Sequence, residues 1–162
     1  MPFWYKSARK WRSVGVTDMK SQIYKNGVIS VCVPSGWKLF KGIDSGGKET
    51  SEKVHIYKNI ELKTDVFRKA GITICYYGED VIYLQSRDFY DNVNDIEPFE
   101  MGRYVWHGYT CTSMGYPYIM LEAYEDKAVF QVMLLLENNG ERISLDDPDV
   151  RMIIESIKSE NK

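Results

Sequence analysis

The sequence predicts an α+β domain, with a central antiparallel sheet of about six strands and helices packed on it. Three observations carry that expectation. Asn26-Gly27 stands between two apolar stretches, the strongest short hairpin signal, because a two-residue turn wants positive φ at both central positions. Strand candidates follow in quick succession at 103–112, 118–124 and 128–136, and Asp126-Lys127 is a tight link that makes the last two an antiparallel pair. Near the end, Val150, Ile153, Ile154 and Ile157 recur at i, i+3, i+4 and i+7, the spacing of one helix face.

Taken in order, the first element is a hairpin of Ile23-Tyr24-Lys25 with 28–33, ended by Pro34-Ser35-Gly36. Trp37 then anchors the core. The polar, Gly-rich stretch 42–53 reads as a loop and 54–57 as a strand. A short helix over 64–70 ends at Gly71, and 72–77 is a strand closed by Gly78. Ser86 is a good N-cap for a helix running to about Asn94, with Phe89, Tyr90 and Val93 facing inward. Glu97-Pro98 forbids its continuation. Asn138-Asn139-Gly140 breaks the chain after the last strand. Asp147 then caps the closing helix, Pro148 takes its first position, and Asp149 suits its positive end.

Composition bounds the function. The 162 residues are 44% hydrophobic, enough for one domain with a real core. No repeat or low-complexity linker divides them, so 21–162 reads as a single domain behind a basic N-terminal arm, 1–20. The arm carries Lys6, Arg9, Lys10, Arg12 and Lys20 against Asp18, with Trp4 and Trp11 seven apart. It reads either as an extension packed on its own domain or as an arm for an acidic partner or membrane surface. The whole chain has a net charge of −2, which excludes the basic footprint of a nucleic-acid binder. Cys32, Cys75 and Cys111 are odd in number and lie in apolar runs, which fits buried, reduced thiols and a cytoplasmic location. No stretch approaches the ~20 apolar residues of a membrane span, and no apolar segment follows the basic N-terminus as in a signal peptide. The expected state is a monomer or weak dimer.

Several motifs approach a chemistry and stop short. Gly42-Ile43-Asp44-Ser45-Gly46-Gly47-Lys48-Glu49 almost spells a phosphate-binding loop, but Glu49 stands where Ser or Thr should hold magnesium. Cys111-Thr112-Ser113-Met114-Gly115 resembles a nucleophile elbow lacking its first Gly, and no His follows Ser113. His107 and Cys111 share a strand face but stand ~13 Å apart at ~3.3 Å per residue. Asp146, Asp147 and Asp149 are explained by helix capping. Glu122, Glu125 and Asp126 read as a solvated strand end and turn. No cofactor and no metal are expected.

Two segments resemble a known family. The run 27–38, a strand ending in Pro34-Ser35-Gly36-Trp37, is similar to the opening strand of PsbP/Mog1-like domains. The run 150–157, with Ile154-Glu155-Ser156, is similar to their closing helix. The resemblance spans residues 23–160, with its specific matches at the two ends. It implies an antiparallel sheet with helices packed around it and a mostly non-enzymatic role, as in bacterial domains of that superfamily. Photosystem assembly and binding of a small GTPase do not carry over, because neither a transit peptide nor the GTPase-binding motifs are present.

The remaining signal is aromatic. Twelve Tyr, 6 Phe and 4 Trp make up 14% of the chain. They read as cross-strand pairs of a core or as a groove for a ligand. The functional expectation is a non-enzymatic module that recognises a protein or peptide through an aromatic sheet face or edge. Trp106, His107, Tyr109, Tyr116 and Tyr118 are its candidate binding residues. The alternatives are a small-ligand carrier, and a hydrolase using His107 with Ser113 or Cys111.

Overall fold

A computed structural model describes residues 21–160, so the basic arm expected at 1–20 lies outside the described residues. The first hairpin pairs β1 (Gln22–Lys25) with β2 (Ile29–Val33), Lys25 opposite Ser30. Its turn is shifted by one residue from the expected one. Gly27 has φ +89°, while Asn26 stays in the ordinary region and accepts the Val28 and Ile29 N–H groups on its side-chain oxygen.

Seven strands then build the main sheet: β3 (Trp37–Ile43), β4 (Glu49–Lys58), β5 (Gly71–Tyr77), β6 (Asp91–Met101), β7 (Tyr104–Ser113), β8 (Tyr116–Glu125) and β9 (Ala128–Leu135). Their order is β3-β4-β5-β9-β8-β7-β6, antiparallel at every step. A small hairpin of β10 (Glu137–Asn138) with β11 (Glu141–Arg142) follows, then the helix α1 (Pro148–Ser156), then β12 (Lys158–Ser159), which pairs with β2.

The α+β expectation is therefore corrected: the described chain is largely β, with one α-helix and a seven-stranded sheet. The helices implied by the PsbP/Mog1-like resemblance are absent from the described residues apart from α1. The segment 86–94 gives the physical reason. A single 3₁₀ turn occupies Arg87–Phe89, and Asp91 already belongs to β6. Val93, Ile96 and Phe99 recur every third residue, which mimics a helix face. In the structure Val93 nonetheless faces the opposite side of the sheet from Ile96 and Phe99, and these two share a face because the register shift between them resets the alternation of the strand. β6 lies at the sheet edge, where Pro98 needs no partner for a missing N–H. Phe89, expected inside, is exposed. The segment 64–70 likewise forms only a 3₁₀ turn, Lys63–Arg68.

The two faces of the sheet differ. The inner face presents Val54, Ile56, Ile72, Ile74, Trp106, Leu121, Phe130, Val132 and Leu134 to β2 and α1, whose Ile29, Val31, Val150, Ile153 and Ile154 complete one core. Strand alternation supplies one stripe and helical spacing the other. Trp37 joins this core and donates its indole N–H to Asp149 at 3.0 Å, tying β3 to the first turn of α1. The outer face holds a smaller cluster of Tyr109, Cys111 and Met120, flanked by Tyr90, Val93, Tyr118 and Met133.

Candidate functional site

The outer face is crossed by the connection between β5 and β6, residues 78–90, which we term the strap. Its alternation is inverted. Tyr83 and Gln85 reach down and donate to the carboxylate of Glu122 on β8, the latter at 3.0 Å. Arg87 places its guanidinium 5.1 Å above the Tyr109 ring and 2.9 Å from Asp95. Ile82, Leu84 and Phe89 point outward and are 83%, 77% and 85% exposed. The strap thus spends polar side chains on the sheet and gives apolar ones to the surface.

Beneath it lies a cleft of about 400 Å³, lined among others by Gln85, Arg87, Asp95, His107, Tyr109 and Glu122. Glu122 is its deepest charge, only 8% exposed. The third donor to its carboxylate is the Tyr124 hydroxyl at 3.4 Å. Burial, followed by the hydrogen bond to Glu122 and its negative charge, holds the Tyr83 phenol well above the usual tyrosine range. Tyr83 therefore stays a donor. Burial also raises Tyr109, Tyr118 and the Cys111 thiol.

The candidate residues divide between the faces. Trp106 is on the inner face, wholly buried, and donates its indole N–H to the Met101 carbonyl at 3.0 Å. His107, Tyr109, Tyr116 and Tyr118 share the outer face. Tyr109 and His107 line the cleft, whereas Tyr116 pairs with Ser113 at the far end of the β7–β8 ladder. Ser113 is six residues along the same strand from His107, roughly 20 Å at 3.3 Å per residue, and Cys111 roughly 13 Å. Neither meets His107. The elbow-like motif closes a β-hairpin on Met114 and Gly115, at φ +53° and +86°, rather than a strand–helix turn. The phosphate-loop-like motif is also a hairpin connection, where the Asp44 carboxylate accepts the Gly46 and Lys48 N–H groups. Among the described residues no group of His, Cys, Asp and Glu is arranged to hold a metal ion. No helix among them is long and apolar enough to cross a membrane.

Glu122 is the residue that sequence reasoning misplaced. Expected at a solvated strand end, it is buried and triply hydrogen-bonded. The available signal was its position inside the apolar run Ile119-Met120-Leu121-Glu122-Ala123, well before the turn at Asp126. His107 stands directly opposite it in the β7–β8 register.

No protein-family model matches the sequence, and no curated protein matches it. Among solved structures, the chain is similar to a crystal structure from Bacteroides thetaiotaomicron VPI-5482, at 14% identity and a TM-score of 0.48. That match covers 88% of this chain and 48% of the other, so the chain spans about half the length of that protein.

Proposed function

We propose that this chain is a non-enzymatic binding module that receives a protein or peptide on the strap side of its main sheet. The observation that carries this reading is the outward row of Ile82, Leu84 and Phe89. Exposed apolar side chains scattered singly are ordinary, but three large ones on one short segment, beside a polar cleft, fit the anatomy of an interface. The row is held in place from below by Tyr83, Gln85 and Arg87, so it is presented rather than left loose. Tyr116 and Tyr124 extend the same face with amphipathic rings exposed at their edges.

The test compares the wild-type chain with the Ile82→Ser, Leu84→Ser double variant in affinity capture followed by mass spectrometry. Arg151→Ala, on the helix, serves as the control. Partners held by the wild type and by Arg151→Ala but lost from the strap variant are the expected result. A partner set unchanged by the strap variant, or no partner at all, overturns the reading.

A further inference from the structure

We infer that the cleft under the strap is a receptor for one cationic side chain, an arginine or lysine of the partner protein. This deepens the function proposed above and takes from it only that the ligand belongs to a protein.

The first observation is an imbalance at Glu122. Its carboxylate is buried, yet the donors that reach it are all neutral: two phenols and one amide. Among the described residues no Lys or Arg forms an ion pair with it. Buried carboxylates ordinarily have a cation as partner, because neutral donors only partly replace lost hydration.

The second observation is independent of Glu122. The cleft already shows how it holds a guanidinium, since Arg87 lies on the Tyr109 ring and against Asp95. That cation is committed to Asp95. Among the described residues, the remaining carboxylates of the lining, Glu122 and Glu97, form no ion pair. Pro98 is the apolar side chain of the lining, a surface for the methylene stem of a long cationic side chain, while Ile96 borders the cleft but packs its side chain on the inner core. His107, opposite Glu122 and exposed, stands at the mouth.

Two blocked pentapeptides test the assignment, Gly-Ser-Arg-Ser-Gly and the same peptide with citrulline, which keeps the shape and removes the charge. Each is titrated into the isotope-labelled chain at low salt, and the amide signals of Gly108, Tyr109 and Glu122 are followed. The arginine peptide should shift these signals saturably and bind at least about tenfold tighter than citrulline, as a charged hydrogen bond implies. Glu122→Gln should reduce it to the citrulline level. Because that variant disturbs a buried group, His107→Lys provides a second arm: at this exposed position it sets a resident ammonium opposite Glu122 and should block the arginine peptide equally. Equal binding of the two peptides, no binding of either, or arginine binding unchanged in both variants overturns the inference. A strap variant that loses its partners while the arginine peptide fails to bind leaves the binding module standing and removes the cationic subsite. Charge-dependent peptide binding with partners unchanged in the strap variant does the reverse.

Discussion

The two faces of the main sheet are built from the same strands but by different physics. The inner face buries aliphatic and aromatic side chains against β2 and α1 and leaves few polar groups to satisfy. The outer face holds a much smaller apolar cluster, Tyr109, Cys111 and Met120, and relies on the strap, which is fastened by hydrogen bonds, an ion pair and a cation–π contact. Apolar burial scales with area and is non-directional, so the inner face tolerates imprecision in any one contact. A polar fastening is worth little net when complete and costs much when one partner is removed. Stability should therefore reside on the inner face, and recognition on the outer.

The comparison is broken most forcefully from the inside. Phe130 is fully buried in contact with Tyr76 and Tyr104. Phe130→Ala should cost about 3–5 kcal/mol, a large part of the ~5–15 kcal/mol that holds a domain together. Denaturant melts will show it as a lowered midpoint. A loss below about 1 kcal/mol would mean that the inner face is not the main source of stability.

The outer counterpart is Glu122→Ala. It leaves the Tyr83 hydroxyl and the Gln85 amide without their acceptor, at about 1–3 kcal/mol for the unsatisfied donors. Limited proteolysis distinguishes this from a core defect. Cleavage should begin within 78–90 while the rest of the chain stays protected. Protection of the strap in this variant would show that something other than Glu122 fastens it.

Legibility in the sequence follows the same division. Strand alternation at 72–77 and 128–136 and the helical stripe of α1 were readable because apolar burial leaves a period in the sequence. The edge strands were not. β3 was passed over because its run, Trp37-Lys38-Leu39-Phe40-Lys41-Gly42-Ile43, carries both lysines and a glycine and ends in what reads as loop. β6 was missed because its first residues, up to Asn94, read as the end of a helix capped by Ser86, and Glu97-Pro98 read as a break, which an edge strand tolerates. The site was less legible still. The aromatic outer face was visible as composition, but nothing local to Tyr83 or Arg87 announces that they cross to β8 and β6. Glu122 could be placed only once the strand register was known.

A subtler probe uses pH at the outer face near β4. Burial, assisted by the charge of Lys53, lowers the pKa of His55, whose Nδ1 lies 2.8 Å from the Thr73 hydroxyl. The folded state thus favours the neutral imidazole. The associated stability is present above the unfolded value of about 6.5 and is lost as pH falls through the lower, folded value. His55→Gln should flatten the stability profile from about pH 7 downward while leaving it unchanged at pH 8. An unaltered slope in melts across that range would remove His55 from the acid response.

The smallest expected effect bears most directly on function. Ile82→Ser and Leu84→Ser change side chains that touch solvent rather than the sheet, and surface substitutions usually stay within about 0.5 kcal/mol. The double variant should therefore melt with the wild type, and Tyr83 should keep its hydrogen bond to Glu122, seen as an unchanged tyrosinate titration at high pH. If instead the double variant is destabilised by more than about 1 kcal/mol, these residues contribute to the chain's own packing. Their exposure would then belong to the domain's own core rather than to a partner. An unchanged melt together with lost partner capture separates the two roles of the strap, with Tyr83, Gln85 and Arg87 holding it down and Ile82 and Leu84 doing the recognising.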